Sequence, residues 1–240
     1  QTANHVVAGF EYDLTEFLNL NVEGYFKHFT QLTNTNRQKL FPDDAAHSDV
    51  PEVLRLDYII ESGFANGVDM VLKYEKRNSY LWLVYGLGNV DRWNGERWYD
   101  PVFDRRHNLN LVASQDFGAN KEWQISARWA LGSGLPFTQS QGYYQSPNVN
   151  DGIYSDYMTQ NAGQVSIYYA DLNEGRLPSY HRLDMSVKRT FEDVMGGDLD
   201  FTAGVTNVYS RENVFYINRL TGQRKNQLPF LPSISLDWKF

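Results

Sequence analysis

Nine stretches of the chain place large apolar residues at every second position, with polar or small residues between them. Val6, Ala8, Phe10 and Tyr12 alternate with His5, Val7, Gly9 and Glu11. Leu18, Leu20, Val22, Gly24 and Phe26 alternate with Asn19, Asn21, Glu23, Tyr25 and Lys27. The same period recurs over 68–74, 81–87, 107–113, 123–131, 183–187 and 199–205. A final stretch sets Ile234, Leu236, Trp238 and Phe240 against Ser235, Asp237 and Lys239. A period of two sends alternate side chains to opposite faces of a strand, so each stretch predicts a strand with one apolar and one polar face. No helical period competes over any long window.

The links between these stretches alternate in length. Short, turn-like links are expected near 13–16, 77–79, 118–121 and 193–198. Long polar ones run over about 33–60, 89–101 and 132–177, and from Asn207 through Thr221 and Gly222 to the last strand. Tight turns at one rim and long loops at the other are the anatomy of an outer-membrane barrel. An apolar strand ending at Phe240 also fits that setting. In a soluble sheet it would leave an adhesive edge, whereas in a bilayer barrel the edges pair and the apolar face meets lipid. If Phe240 lies at the periplasmic side, every short turn falls there and every long loop is extracellular. Bacterial single-chain barrels have even strand numbers, so nine strands suggest the C-terminal portion of a larger barrel or one strand unread. The fold class expected is therefore all-β, a transmembrane antiparallel β-barrel portion occupying residues 1–240, with no second domain.

Composition adds constraints. The mean hydropathy of -0.53 would suit a water-soluble protein, but alternation hides the apolar half of a barrel from such averages. Aromatic residues reach 15%, enough to furnish interfacial girdles and equally consistent with a glycan-binding surface. Cysteine is absent, which excludes disulfides and thiolate metal sites. The net charge of -7 without a basic block argues against a nucleic-acid partner. Export-type strands without an apolar leader at Gln1 lead us to expect that a leader has been removed or that the chain is a fragment.

No catalytic constellation is visible, and no cofactor or enzyme activity is expected. His5, His28, His47, His107 and His181 are scattered over different strands and loops, and no nucleophile elbow, zinc-protease or phosphate-loop spacing occurs. The segment Asp43-Asp44-Ala45-Ala46-His47-Ser48-Asp49 is rich enough in oxygen to suggest calcium, but a solvated acidic loop is favoured over any metal site. Lys73, Arg128, Arg182, Asp184 and Lys188 are expected on the polar face, as ion pairs supporting the wall or a plug. Arg105 and Arg106, near the outer rim, suit lipopolysaccharide phosphates as well as a substrate. The substrate-binding candidates are Trp93, Arg97 and Trp98 in one aromatic-basic loop, beside Tyr99, and Tyr143, Tyr144, Tyr154 and Tyr157 in another. Aromatic faces with arginine suit a flat or anionic ligand, and anchoring at the headgroup level is the competing role for the same residues.

Three motifs carry a resemblance. Leu177-Pro178-Ser179-Tyr180-His181-Arg182-Leu183-Asp184, Asp104-Arg105-Arg106-His107-Asn108-Leu109 and Gly204-Val205-Thr206-Asn207-Val208-Tyr209-Ser210-Arg211-Glu212-Asn213 resemble strands near the C-terminus of TonB-dependent outer-membrane transporters. Their order, ahead of a terminal aromatic strand, is that family's order. The Asn- and Tyr-rich loops and the Trp238-Lys239-Phe240 ending resemble members from Bacteroidota. The resemblance implies about nine C-terminal strands of a probable 22-stranded, plugged barrel, with plug and TonB-contacting segment absent from this chain. It further implies active, TonB-driven uptake of a scarce nutrient such as a siderophore or metal chelate, a glycan or a peptide. The partners implied are outer-membrane lipid and lipopolysaccharide, the remaining barrel and plug, TonB, and the barrel assembly machinery. That machinery would read Ile234, Leu236, Trp238 and Phe240 as an assembly signal. The alternatives are a barrel client or fragment held by the assembly machinery, and a secreted β-sandwich binding glycan through aromatic loops.

Overall fold

Period-two alternation specifies a single two-faced sheet only if every strand keeps the same register, because a slip of one residue exchanges the faces. In the computed structural model, which describes residues 1–36, 39–146 and 164–240, that register holds through the middle of every strand and shifts only towards strand ends. Nine strands follow in chain order, each antiparallel to the next: β1 (Thr2–Thr15), β2 (Leu18–Thr35), β3 (Tyr58–Lys76), β4 (Ser79–Trp93), β5 (His107–Phe117), β6 (Trp123–Gly132), β7 (Tyr180–Val194), β8 (Gly197–Thr206) and β9 (Leu231–Lys239). Trp98–Tyr99 forms a short additional strand against the end of β4.

Residues directly opposite in antiparallel strands lie on the same face. One row reads Tyr12, Leu20, Leu72, Leu83, Leu111, Trp129 and Leu183 from β1 to β7. Nearer the short turns, Ile125, Val187, Ala203 and Ile234 continue the apolar face to β9. The opposite face reads Gly9, Glu23, Asp69, Gly86, Asn108, Gly132 and Tyr180. The apolar side chains stay open to the surroundings, Ile234 and Leu236 among them. The row from Phe64 to Tyr74 rises about 25 Å at about 3.3 Å per residue and about 40° of tilt, the height of a barrel's lipid band. A sandwich would instead pack such a face against a second sheet, and no second large sheet is present among the described residues.

Several strands outrun their apolar pattern. β2 and β3 continue past a bulge between Phe29 and Leu32 and pair as far as Thr35 and Tyr58, where the sequence suggested a loop from about residue 33. Beyond the lipid band nothing demands apolar alternation, but the backbone groups still pair with each other. The 132–177 region is likewise not irregular throughout. Ser140–Ser146 pairs with Gln164–Tyr169, and Pro136–Phe137 with Gly175–Arg176. In the last long loop Val214–Ile217 pairs with Arg224–Asn226. The short links are as short as expected: Met195 and Gly196 join β7 to β8 with φ of 53° and 83°, the backbone of a tight hairpin turn.

Side chains on the polar face brace the wall. Gly67 and Gly88 are register partners, and the Tyr25 ring lies over both; a Cβ on Gly67 would sit 2.6 Å from the Tyr25 hydroxyl. Arg182 pairs with Asp184 at 2.8 Å and Lys73 with Glu75 at 2.9 Å. Asn207 is fully buried at φ 56°. Its N–H donates to Asp184 Oδ1 (2.9 Å), and its side-chain amide donates to the carbonyls of Arg211 and Leu228 (both 3.0 Å). Asn213 clasps the N–H and carbonyl of His181. The asparagines of the 204–213 motif thus sew the last long loop to β7.

Candidate ligand cavity at the loop rim

At the long-loop end, the polar face of β2 and β3 carries a buried carboxylate. Glu61, 3% exposed, accepts from the Tyr99 hydroxyl (2.8 and 2.9 Å), Asn34 Nδ2 (3.2 Å) and Arg92 Nη1 (3.4 Å). Asn34 Nδ2 also donates to the Tyr99 oxygen at 3.0 Å. Burial first, and then the hydrogen bond and charge of Glu61, push the Tyr99 phenol above the usual tyrosine range, so it remains a donor. Strand pairing explains the placement. Tyr99 stands opposite Arg92, and Arg92 opposite Gly63, which puts all three on the face of Glu61.

Above this floor lies a cavity of about 480 Å³. Its walls include Asn34, Asn94, Arg97 and Gln141, with Tyr168 and Tyr169 from the hairpin formed by Ser140–Ser146 and Gln164–Tyr169. Arg97 forms an ion pair with Asp171 across the opening. The other side of the hairpin faces a larger, more apolar cavity of about 910 Å³, bounded by Phe137, Tyr143, Ile167, Phe215 and Leu220. Arg219 lies over the Tyr169 ring at 5.3 Å, and the Tyr143 hydroxyl donates to the Arg219 carbonyl, tying the two loops together.

The loops are fixed by an arginine–aspartate lattice. Asp104, 1% exposed, accepts from the Val90 N–H (3.1 Å), Arg106 Nε (3.0 Å) and Arg176 Nη2 (2.6 Å). Both guanidiniums also reach Asp100. Asn173 donates its side-chain amide to the Asp100 carbonyl (2.9 Å) and exchanges hydrogen bonds with buried Thr138. The 94–106 loop and the base of the 133–179 loop are thereby one rigid unit.

Of the candidates named from sequence, Arg97 lines the polar cavity and Tyr143 the apolar one. Tyr144 is exposed on the hairpin and pairs with Ser166 rather than with the Tyr143–Ile167 row. Trp93 and Trp98 pack against each other at a tilt (centroids 5.6 Å), and Trp98 packs on Phe64, on the apolar side of the sheet. Tyr154 and Tyr157 lie outside the described residues. Arg106 is committed to Asp104 and Asp100, and Arg105 lies 5.9 Å from the Tyr180 ring. In the acidic loop, Asp44 caps the turn Ala45–His47 and bonds the His47 ring at 2.6 Å, while Asp43 pairs with Arg55. That bond to His47 holds the Asp44 carboxyl below the usual range. Glu61 was not singled out in the sequence, and Asp104 entered only as part of the 104–109 motif, with no role of its own. The only signals are a lone glutamate following two isoleucines, and an aspartate directly ahead of two arginines.

This two-faced sheet with loops bundled at one end can be compared with solved structures. The chain matches the FpvAI–pyocin S2 complex with a TM-score of 0.63 at 12% identity, over 99% of its own length and 26% of that chain. It matches the ferripyoverdine receptor of the outer membrane of Pseudomonas aeruginosa, bound to ferripyoverdine, with a TM-score of 0.59 at 13% identity, over 99% of its own length and 27% of the receptor. The sheet has the fold of an outer-membrane receptor barrel. A second structure of that receptor, bound to heterologous pyoverdines, gives a TM-score of 0.61 at 12% identity. No protein-family model and no curated protein matches the sequence. The chain spans about a quarter of the length of each of these structures, 26% of the first and 27% of the other two.

Proposed function

We propose that the chain is part of the wall of a TonB-dependent outer-membrane importer and carries part of its ligand path, without catalysis. The observation that carries this is the continuous apolar face across nine strands, joined to a rigid, polar loop rim over the opposite face. The sheet is hydrogen-bonded on one side only at β1 and at β9, so the remaining barrel strands would pair with these edges. A plug would fill the polar face, and TonB would act through the plug. Export and closure would depend on the assembly machinery recognising Ile234, Leu236, Trp238 and Phe240, which alternate outward on β9. Trp93 and Trp98 serve as outer-leaflet anchors in contact with lipid and lipopolysaccharide, where their position suits the interface better than a ligand.

The nutrient is a small ligand rich in hydrogen-bonding groups. Arg97, the arginine that lines the polar cavity, is already matched by Asp171, which favours a neutral ligand over a strongly anionic chelate. Amide groups and the exposed ring of Tyr168 are the recognition chemistry on offer. The test is energy-dependent uptake into cells producing the intact protein, with labelled ferric chelates, oligosaccharides and short peptides. Uptake of one class should vanish without TonB and fall about tenfold in Gln141→Ala/Tyr168→Ala, the loss of an amide and a ring that line the cavity. Uptake unaffected by TonB, or by both substitutions, would sink this assignment.

A further inference from the structure

The apolar face of the nine strands carries two cations, Lys76 and Arg189, and both stand at the short-turn end. Lys76 lies 4.6 Å over the Phe17 ring, as expected of a side chain reaching from the lipid band to water. Arg189 is different. Its guanidinium lies 4.8 Å from the Trp123 ring centroid and 4.6 Å from that of Phe191. Register sets it between Trp123 of β6 and Phe201 of β8. It makes no hydrogen bond or ion pair with any described residue, and its Nε is buried without a partner.

Glu122, directly ahead of β6, and Asp200 of β8 are already used. Glu122 folds back over its own turn to accept from the Asn120 N–H at 3.0 Å. Asp200 is held on the other face by Thr190 (2.5 Å) and Lys239 (2.8 Å). The strands on both sides of β7 belong to this chain, so no further barrel strand could insert to supply a counter-ion. A charged side chain facing lipid with unspent donors calls for an anion at the interface. A planar guanidinium offers paired N–H groups that match phosphate oxygens, and rings on either side limit its rotation.

We propose that Arg189 is a phospholipid headgroup site, binding the phosphodiester through its guanidinium between Trp123 and Phe191. An acyl chain then runs along the apolar row toward Val187 and Ala203. The site rests on the membrane placement argued above and lies far along the wall from the ligand cavity, so it concerns the lipid and not the nutrient.

The test uses the intact protein extracted from outer membranes in mild detergent, with folding monitored by its heat-dependent gel mobility. Native mass spectrometry counts retained phosphatidylethanolamine and phosphatidylglycerol. The wild type should keep one lipid that Arg189→Gln loses about tenfold, the scale of hydrogen bonds to a charged group. Arg189→Lys should fall between them, since it keeps the charge and loses the paired donors. Equal retention by folded wild type and Arg189→Gln would overturn the site. Displacement of the lipid by millimolar inorganic phosphate would reassign it to free anions and overturn the lipid assignment. If Arg189→Gln does not fold, Trp123→Leu replaces it: reduced retention supports the site and unchanged retention overturns it. Solubility without detergent would refute the membrane placement itself, a failure distinct from a lipid-bound protein indifferent to Arg189.

Discussion

At the scale of single residues, the rim is held by charges that are buried because they are matched. Asp104 accepts three hydrogen bonds, two of them from guanidiniums that also serve Asp100. Removing Asp104 leaves the partly exposed Arg106 and Arg176 with only the Asp100 carboxylate and the Val90 N–H without its acceptor, which costs about 1–3 kcal/mol. Asp104→Ala should therefore loosen the 94–106 and 133–179 loops while leaving the wall strands paired. Limited proteolysis of the intact protein should show faster cleavage in those loops, with an unchanged barrel core; Asp104→Asn, which keeps the shape and one acceptor, should show a smaller effect. Cleavage no faster than wild type in Asp104→Ala would mean that the lattice does not hold the loops.

At the scale of elements, register and close approach decide what a strand tolerates. Gly67 and Gly88 lie opposite each other beneath the Tyr25 ring, a place where an aromatic covers glycine that would otherwise expose backbone. A Cβ at Gly67 meets the Leu87 carbonyl at 2.5 Å and the Tyr25 hydroxyl at 2.6 Å, so Gly67→Val must displace the ring or the neighbouring strand. The expected cost is about 1–3 kcal/mol, as for overpacking elsewhere. Gly24, on the other face of β2, has nothing nearer than 3.8 Å to an added Cβ, and Gly24→Ala should be neutral. Thermal or urea unfolding in detergent micelles should separate the two; equal midpoints would contradict the packing described.

At the scale of the whole molecule, the sheet has a direction as well as two faces. The apolar face has its polar-tipped aromatic pairs Tyr85–His107 and His181–Tyr209 toward the long loops. Trp123, Phe117 and Trp238 lie toward the turns. Depth across a bilayer should therefore grade the effect of one substitution. Leu83→Arg, in the middle row, should cost about 2–4 kcal/mol in lipid, and Gln115→Arg, near the turns, about 0–1 kcal/mol. Folding yield into vesicles measures both. A β-sandwich would show no such gradient with depth, and its absence would restore that alternative.

The sequence by itself determined the nine strands, the face each side chain takes and the alternation of short and long links. All of these follow from local period and turn chemistry, which need no knowledge of distant partners. It left the lengths of β2 and β3 short, because outside lipid the strands persist on backbone pairing alone, and that leaves no apolar trace. It drew attention to Trp93, Trp98, Arg105 and Arg106 by residue type. Only the tertiary structure put the tryptophans on the apolar side and showed Arg106 bound to Asp104 and Asp100. Glu61, Tyr99 and Asn34 come from three separate segments, and no local pattern encodes their meeting. A strand's faces are fixed by its own sequence, whereas a buried charge network is fixed by which loops fold over one another.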